Sequence, residues 1–175
     1  DGMQLTGDRI TTVWRRGYES VGGVRRAGQL SYGSGTTPTY FGPGGSSYVA
    51  IVDNAAKPNL KVYRSSDGAA VCSMPAFRTS GPGTENSPIA WRNSVVISST
   101  YGFEYPSATV PGPSTPRHAP FTGGLTRIDV TPTGCHRVWE SGSRDRVATL
   151  PKLSTSNGEI HFLGYGSQPG DLGEL

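Results

Sequence analysis

Apolar residues in this chain come in short runs of about five, each closed by glycine, proline, asparagine or aspartate. Tyr48–Val52, Ser94–Ser98 and Glu159–Leu163 are β-branched or aromatic stretches with turn residues on both sides, and they read as strands. Asn59–Tyr63 and Leu125–Val130 follow as third strands; in the latter Leu125, Arg127 and Asp129 alternate with Thr126, Ile128 and Val130, a period near two. The turns Ser66-Asp67-Gly68 and Pro132-Thr133-Gly134 come next, where glycine supplies the positive φ of a tight hairpin. Fourth strands are expected at Ala70–Met74 and His136–Glu140. Near the N-terminus, Ile10–Arg15 resembles the last strand of such a unit, because Val13-Trp14 echoes Val138-Trp139.

These runs repeat. Pro38, Pro88 and Pro151 each stand fourth in a short segment that heads a new series, with spacings of 50 and 63 residues. The pattern predicts an all-β chain of four-stranded antiparallel units, the form of β-propeller blades. A β-sandwich also uses short strands between turns, but it gives no reason for a proline before every fourth strand. The expected organisation is an outer strand of a preceding blade with a basic loop over 1–30, a blade over 31–80, and a blade over 81–145. That second blade carries a proline-rich insertion at 101–124, and a further blade begins at 146–175. Closed propellers have about four to eight blades, so two full blades and parts of two more require remaining blades or another chain to close the ring.

Composition agrees with a turn-rich chain: Gly 25 and Pro 14 among 175 residues leave little room for helix. No apolar run is long enough to span a bilayer as a helix, so no membrane role is expected. Net charge is +3, partly from Arg15-Arg16 and Arg25-Arg26. Without interleaved stacking aromatics in a nucleic-acid-binding module, these arginines read as a solvated basic loop. His118, His136 and His161 lie far apart and match no metal motif. Cys72 and Cys135 rule out a cysteine-rich zinc site; they form one disulfide or remain two buried thiols. Their offsets from Gly68 and Gly134 differ by an odd number, which points them to opposite sheet faces, and adjacent blades pack opposite faces together. A Cys72–Cys135 disulfide between blades is therefore the favoured reading, although the offset along the strand would demand a bulge or a shifted register.

The Asp67-Gly68 hairpin and the unit layout resemble the quinoprotein-like (PQQ-like) repeat propellers. Within that group, Gly33–Thr39, Tyr48–Asn54 and Thr84–Ser87 resemble an uncharacterised secreted propeller family. The likeness runs from about Ser31 to Tyr165 and implies a blade fold and export to a secreted or periplasmic setting. Quinoprotein dehydrogenases also carry an adjacent cysteine pair and tryptophan docking repeats; this chain has neither, so quinone chemistry is not implied.

In a propeller the first strand of each blade lines a central channel. Thr36, Thr37, Glu85, Asn86, Thr149 and Lys152 are then expected on or beside its wall. Glu85 and Asn86 place a carboxylate beside an amide, donors and acceptors suited to sugar hydroxyls or a hard cation such as Ca2+; no other cofactor is suggested. Asp53 and Asn54 end a strand, where they would cap a turn or converge with Glu85, and Lys152 offers a charge on an inner strand. The candidate ligand-binding set is therefore Asp53, Asn54, Glu85, Asn86 and Lys152. It would serve an exported scaffold that holds a small polar ligand, glycan or protein at the channel mouth. The alternatives are a hydrolase or lyase acting through the carboxylates, or a structural interaction module. No Gly-x-Ser-x-Gly elbow or phosphate-binding glycine loop is present.

Overall fold

The computed structural model describes residues 1–142 and 145–165. The last ten residues expected in the blade beginning at 146 lie outside the described residues. The chain is all-β, with 39% of it in strands. A hairpin of β1 (Gly2–Thr6) and β2 (Arg9–Trp14) comes first. The first four-stranded sheet follows, in the order β3 (Thr39–Phe41), β4 (Tyr48–Val52), β5 (Asn59–Arg64), β6 (Ala70–Pro75). The second runs β7 (Ile89–Trp91), β8 (Ser94–Ser98), β9 (Leu125–Thr131), β10 (Gly134–Glu140). A short hairpin of β11 (Lys152–Leu153) and β12 (Ile160–His161) completes the described strands. All pairings are antiparallel between neighbours in sequence.

The strands fall where alternation placed them, with one addition. Ile10–Arg15, expected as a lone outer strand, is the second arm of a hairpin whose first arm alternates Met3 and Leu5 with Gln4 and Thr6. The two arms turn through Gly7 at φ 61°.

Both four-stranded sheets contribute to one core: Phe41, Ala50, Val52, Leu60 and Val62 from the first meet Val95, Ile97, Ile128 and Val130 from the second. Like strands lie together, β3 beside β7 and β6 beside β10. The other face of the second sheet is covered as well, Val96, Leu125 and Ile89 packing with Val147, Ile160 and Phe162. On the far side of the first sheet, Trp14 lies against Tyr63 with ring centroids 6.2 Å apart and donates its indole N–H to Ser65 O at 2.8 Å. Gly68 is required there, because a Cβ would fall 2.6 Å from the Trp14 ring, and its φ is 69°.

Cys72 and Cys135 form a disulfide between the outer strands β6 and β10, with a Cα–Cα distance of 5.7 Å. The irregularity that the offset along the strand demanded is a bulge in the β5–β6 ladder: Tyr63 pairs with Ala70 and Val62 with Cys72, leaving Val71 as the extra residue. Cys72 stands opposite Val62 and Cys135 opposite Val130, two residues of the shared core. Disulfides persist in oxidising compartments, so the bridge points to a non-cytosolic setting. No helix among the described residues is long and apolar enough to cross a membrane.

A clamp beside the disulfide also joins the two sheets. Glu140 accepts from the backbone N–H groups of Arg78, Thr79 and Ser80 and from Thr79 Oγ1, while Arg137 pairs with it at 3.1 Å and donates to Pro75 O and Ala76 O. Both side chains are almost completely buried. Burial alone would raise the Glu140 carboxyl, but the combined hydrogen bonds from Thr79, Arg78 and Ser80 outweigh it and hold the group below its ordinary value.

Candidate functional site

The segment from Glu19 to Thr36 runs across the ends of β4 and β8 and decides what that rim can bind. It is not a solvated basic loop: Arg25 and Arg26 are buried, which corrects the expectation from their sequence. Arg26 donates to Asn54 Oδ1 at 2.9 Å and to the carbonyls of Asn54 and Ala55. Burial pushes its guanidinium below the ordinary value, and Asp53 opposes that shift. Arg25 donates to the carbonyls of Gln29 and Gly112. Buried guanidinium groups need such carbonyl partners because nothing else compensates for their lost water.

Asp53 and Asn54 are consumed by this arrangement. Asp53 Oδ1 accepts from Asn59 N at 2.7 Å and Ala55 N at 3.2 Å. Its Oδ2 accepts from Asn59 Nδ2 at 3.1 Å and lies 3.5 Å from Lys61 Nζ. Asn54 is fully buried; its amide donates to Ser20 Oγ and Tyr32 O, and its backbone pairs with Glu19 and Val21. The pair ties the crossing segment to the first sheet and presents no free atom to a ligand.

Glu85 and Asn86 sit at the head of β7. Thr84 and Asn86 form the same side-chain turn as Ser34 and Thr36: the residue two further on donates its N–H to the hydroxyl, at 3.1 and 3.2 Å. This shared turn precedes Pro38 and Pro88, whereas Val147 stands at the equivalent place before Pro151 and offers no hydroxyl. Asn86 Nδ2 then donates to Ser98 Oγ and to Thr149 O, both at 2.9 Å, linking the heads of β7 and β11. Thr37 N donating to Ser87 Oγ at 2.8 Å links β3 to β7 in the same way. Glu85 lies against Gly35, 3.5 Å from Ser31 Oγ. Burial raises its carboxyl, partly offset by Ser31, Leu30 and Arg25. Lys152 is exposed on β11. Among the described residues, no three His, Cys, Asp or Glu side chains gather in a way that could hold a metal ion.

The concavity at this rim is formed by other residues. The insertion folds back on the crossing segment, Thr115 N donating to Arg25 O at 2.8 Å and Gly102 N to Ala27 O at 3.1 Å. A cleft of about 310 Å³ opens between them. Its lining includes the half-buried rings of Phe103 and Tyr105 and the exposed side chains of Glu104, Arg117 and His118. Phe103 is fixed by edge-on contacts with Tyr105, Phe121 and Tyr165 at 4.8, 5.4 and 5.2 Å between centroids. Burial, reinforced by nearby Glu85, pushes the Tyr105 phenol up to about 12. His118 Nδ1 lies 3.2 Å from Glu104 Oε1 in a solvent-exposed pair.

None of the five sequence-predicted ligand residues lines this cleft; among them, the charge of Glu85 is felt by the lining residue Tyr105. Sequence reasoning marked the 101–124 insertion by its prolines but not by its aromatic residues. Tyr101, Phe103, Tyr105 and Phe121 all fall within the insertion, and that clustering was the available signal. No protein-family model, curated protein or solved structure matches this chain.

Proposed function

We propose that the chain is an arc of an exported β-propeller of the PQQ-like kind, acting as a scaffold that binds a glycan or small polar ligand in the rim cleft beneath the 101–124 insertion. The blade reading is supported by the side-by-side placement of like strands, β3 with β7 and β6 with β10, together with sheet material on both faces of the second sheet. A two-layer sandwich leaves each sheet one open face; stacked blades do not. The disulfide supports export.

One observation carries the ligand assignment. The cleft is lined both by the half-buried rings of Phe103 and Tyr105 and by the exposed polar side chains of Glu104, Arg117 and His118, and sugars offer both an apolar ring face and a fringe of hydroxyls. Asp53 is a poor candidate for acid–base work, since both its oxygens are already occupied, which favours binding over hydrolysis. Titration calorimetry against a panel of neutral and acidic oligosaccharides tests the reading. Saturable binding is expected, weakened about tenfold in Arg117→Ala and in Glu104→Ala, as the loss of one polar contact implies. A panel without any saturable ligand, or affinities unchanged in both variants, overturns it.

A further inference from the structure

We propose that the glycan held in the rim cleft is an acidic one, a sugar bearing carboxylate or sulfate groups whose oxygens are taken by Arg25 and Arg117. This rests on the glycan reading above and names the class of sugar that the cleft selects.

The charges around the cleft do not balance. Its basic and acidic lining residues are Arg25, Glu104, Arg117 and His118. The one carboxylate among them is already engaged, Glu104 Oε1 standing 3.2 Å from His118 Nδ1. Neither arginine forms an ion pair among the described residues. Tyr105 adds no negative charge, because its phenol is pushed up to about 12 and stays neutral at ordinary pH. Glu85 feels the charge of Arg25, but it does not line the cleft, and burial raises its carboxyl, which favours the neutral form. Arg26 does not line the cleft either. Two guanidinium groups are thus set against one carboxylate that already has a partner.

The two arginines offer different things. Arg25 is only 7% exposed. Its Nε and Nη2 donate to Gly112 O, and its Nη1 donates to Gln29 O. One N–H on each Nη is left without a hydrogen bond among the described residues. Carbonyl oxygens satisfy hydrogen bonds but carry no full charge, so a buried cation held only by carbonyls still gains from an anion. The buried Arg137 has that anion in Glu140, 3.1 Å away; Arg25 has none at ion-pair distance. In its buried setting a ligand charge is worth more than in water, and the carbonyl partners fix the group before the ligand arrives. Arg117 is exposed, so it meets an anion at little desolvation cost but in a screened setting. Guanidinium N–H groups make charge-assisted, often two-pronged hydrogen bonds to anionic oxygens. The rings of Phe103 and Tyr105 serve the apolar face of a neutral or an acidic sugar equally, so the arginines make the distinction.

Titration calorimetry on the whole chain tests this with matched pairs. Glucuronate, galacturonate and mannuronate oligomers are compared with their methyl esters, and sulfated galactan oligomers with their desulfated forms. At least one anionic member is expected to bind about ten- to a hundredfold more tightly than its neutral form, as one hydrogen bond to a charged group implies. That advantage is expected to shrink at high ionic strength and in Arg117→Gln, whose side chain is exposed and outside the core. Arg25→Gln is expected to shrink it further, with folding checked by its urea midpoint. Where that variant does not fold, the matched pairs on the unaltered chain decide. A preference for uronate over sulfate, or the reverse, identifies the group that the arginines take. Neutral forms that bind as tightly as the anionic ones overturn the acidic class and leave the glycan reading standing. An anionic preference undiminished in Arg117→Gln and at high ionic strength overturns the assignment to these arginines. No saturable binding by any member, charged or neutral, overturns both.

Discussion

Cys72→Ala with Cys135→Ala removes the one covalent tie between the two four-stranded sheets, and its cost follows from chain length. The bridge closes a separation of 63 residues. Restricting an unfolded loop of that size removes about 14 cal/mol/K of entropy, or about 4 kcal/mol at 25 °C. Both cysteines are only half-buried at the margin of the core, so lost packing adds little, and the entropic figure should dominate. Against a total stability of about 5–15 kcal/mol, that is a large share. For a chain of this size it corresponds to a fall in Tm of about 8–16 °C. Urea unfolding of the double variant, and of the wild-type chain under reductant, measures the loss from the shift in midpoint at known slope. Both should fall by similar amounts, because both release the same loop. A loss below about 1 kcal/mol with an unchanged slope refutes the reasoning, since the unfolded chain would then gain no freedom from the cut.

Two carboxylates should give opposite pH signatures. Glu140 is held below the ordinary carboxyl value of about 4.5 in the folded state, so its stabilisation is complete above that pH and lost as pH falls through the lower folded value. Glu140→Ala should cost about 3–5 kcal/mol by leaving Arg137 buried without its partner and should remove that acid-limb loss, as urea midpoints across pH would report. Glu85 is raised above the same value of 4.5, so stability should decline as pH rises from there through the folded value. Glu85→Gln should flatten that decline and stabilise the chain at neutral pH; a less stable variant at pH 7 would mean that its contacts with Ser31 and Leu30 outweigh its burial.

The alternation of Leu125–Val130, the Gly68 and Gly134 turns and the recurring prolines made the strands and their grouping readable, because strand and turn preferences act over a few residues. The same locality misled at Arg25-Arg26. Two adjacent arginines beside glycines look solvated, and only Asn54, Ala55, Gln29 and Gly112, distant in sequence or hidden in a turn, supply the carbonyls that let them be buried. Asp53 and Asn54 were visible as turn-capping residues and as ligand candidates; their partners Asn59, Lys61 and Ser20 decide for the former. The different offsets of Cys72 and Cys135 along their strands called for an irregularity, and Val71 is where it sits.

Left to itself, the order of residues determined that this chain forms short antiparallel strands in repeating groups of four, since alternation and glycine turns encode that within each hairpin. Which sheet faces which, which polar groups are consumed in holding the rim together, and where a cleft remains were decided by tertiary structure. Those outcomes depend on hydrogen-bond partners tens of residues apart, and a buried donor takes whichever acceptor the fold brings within about 3 Å.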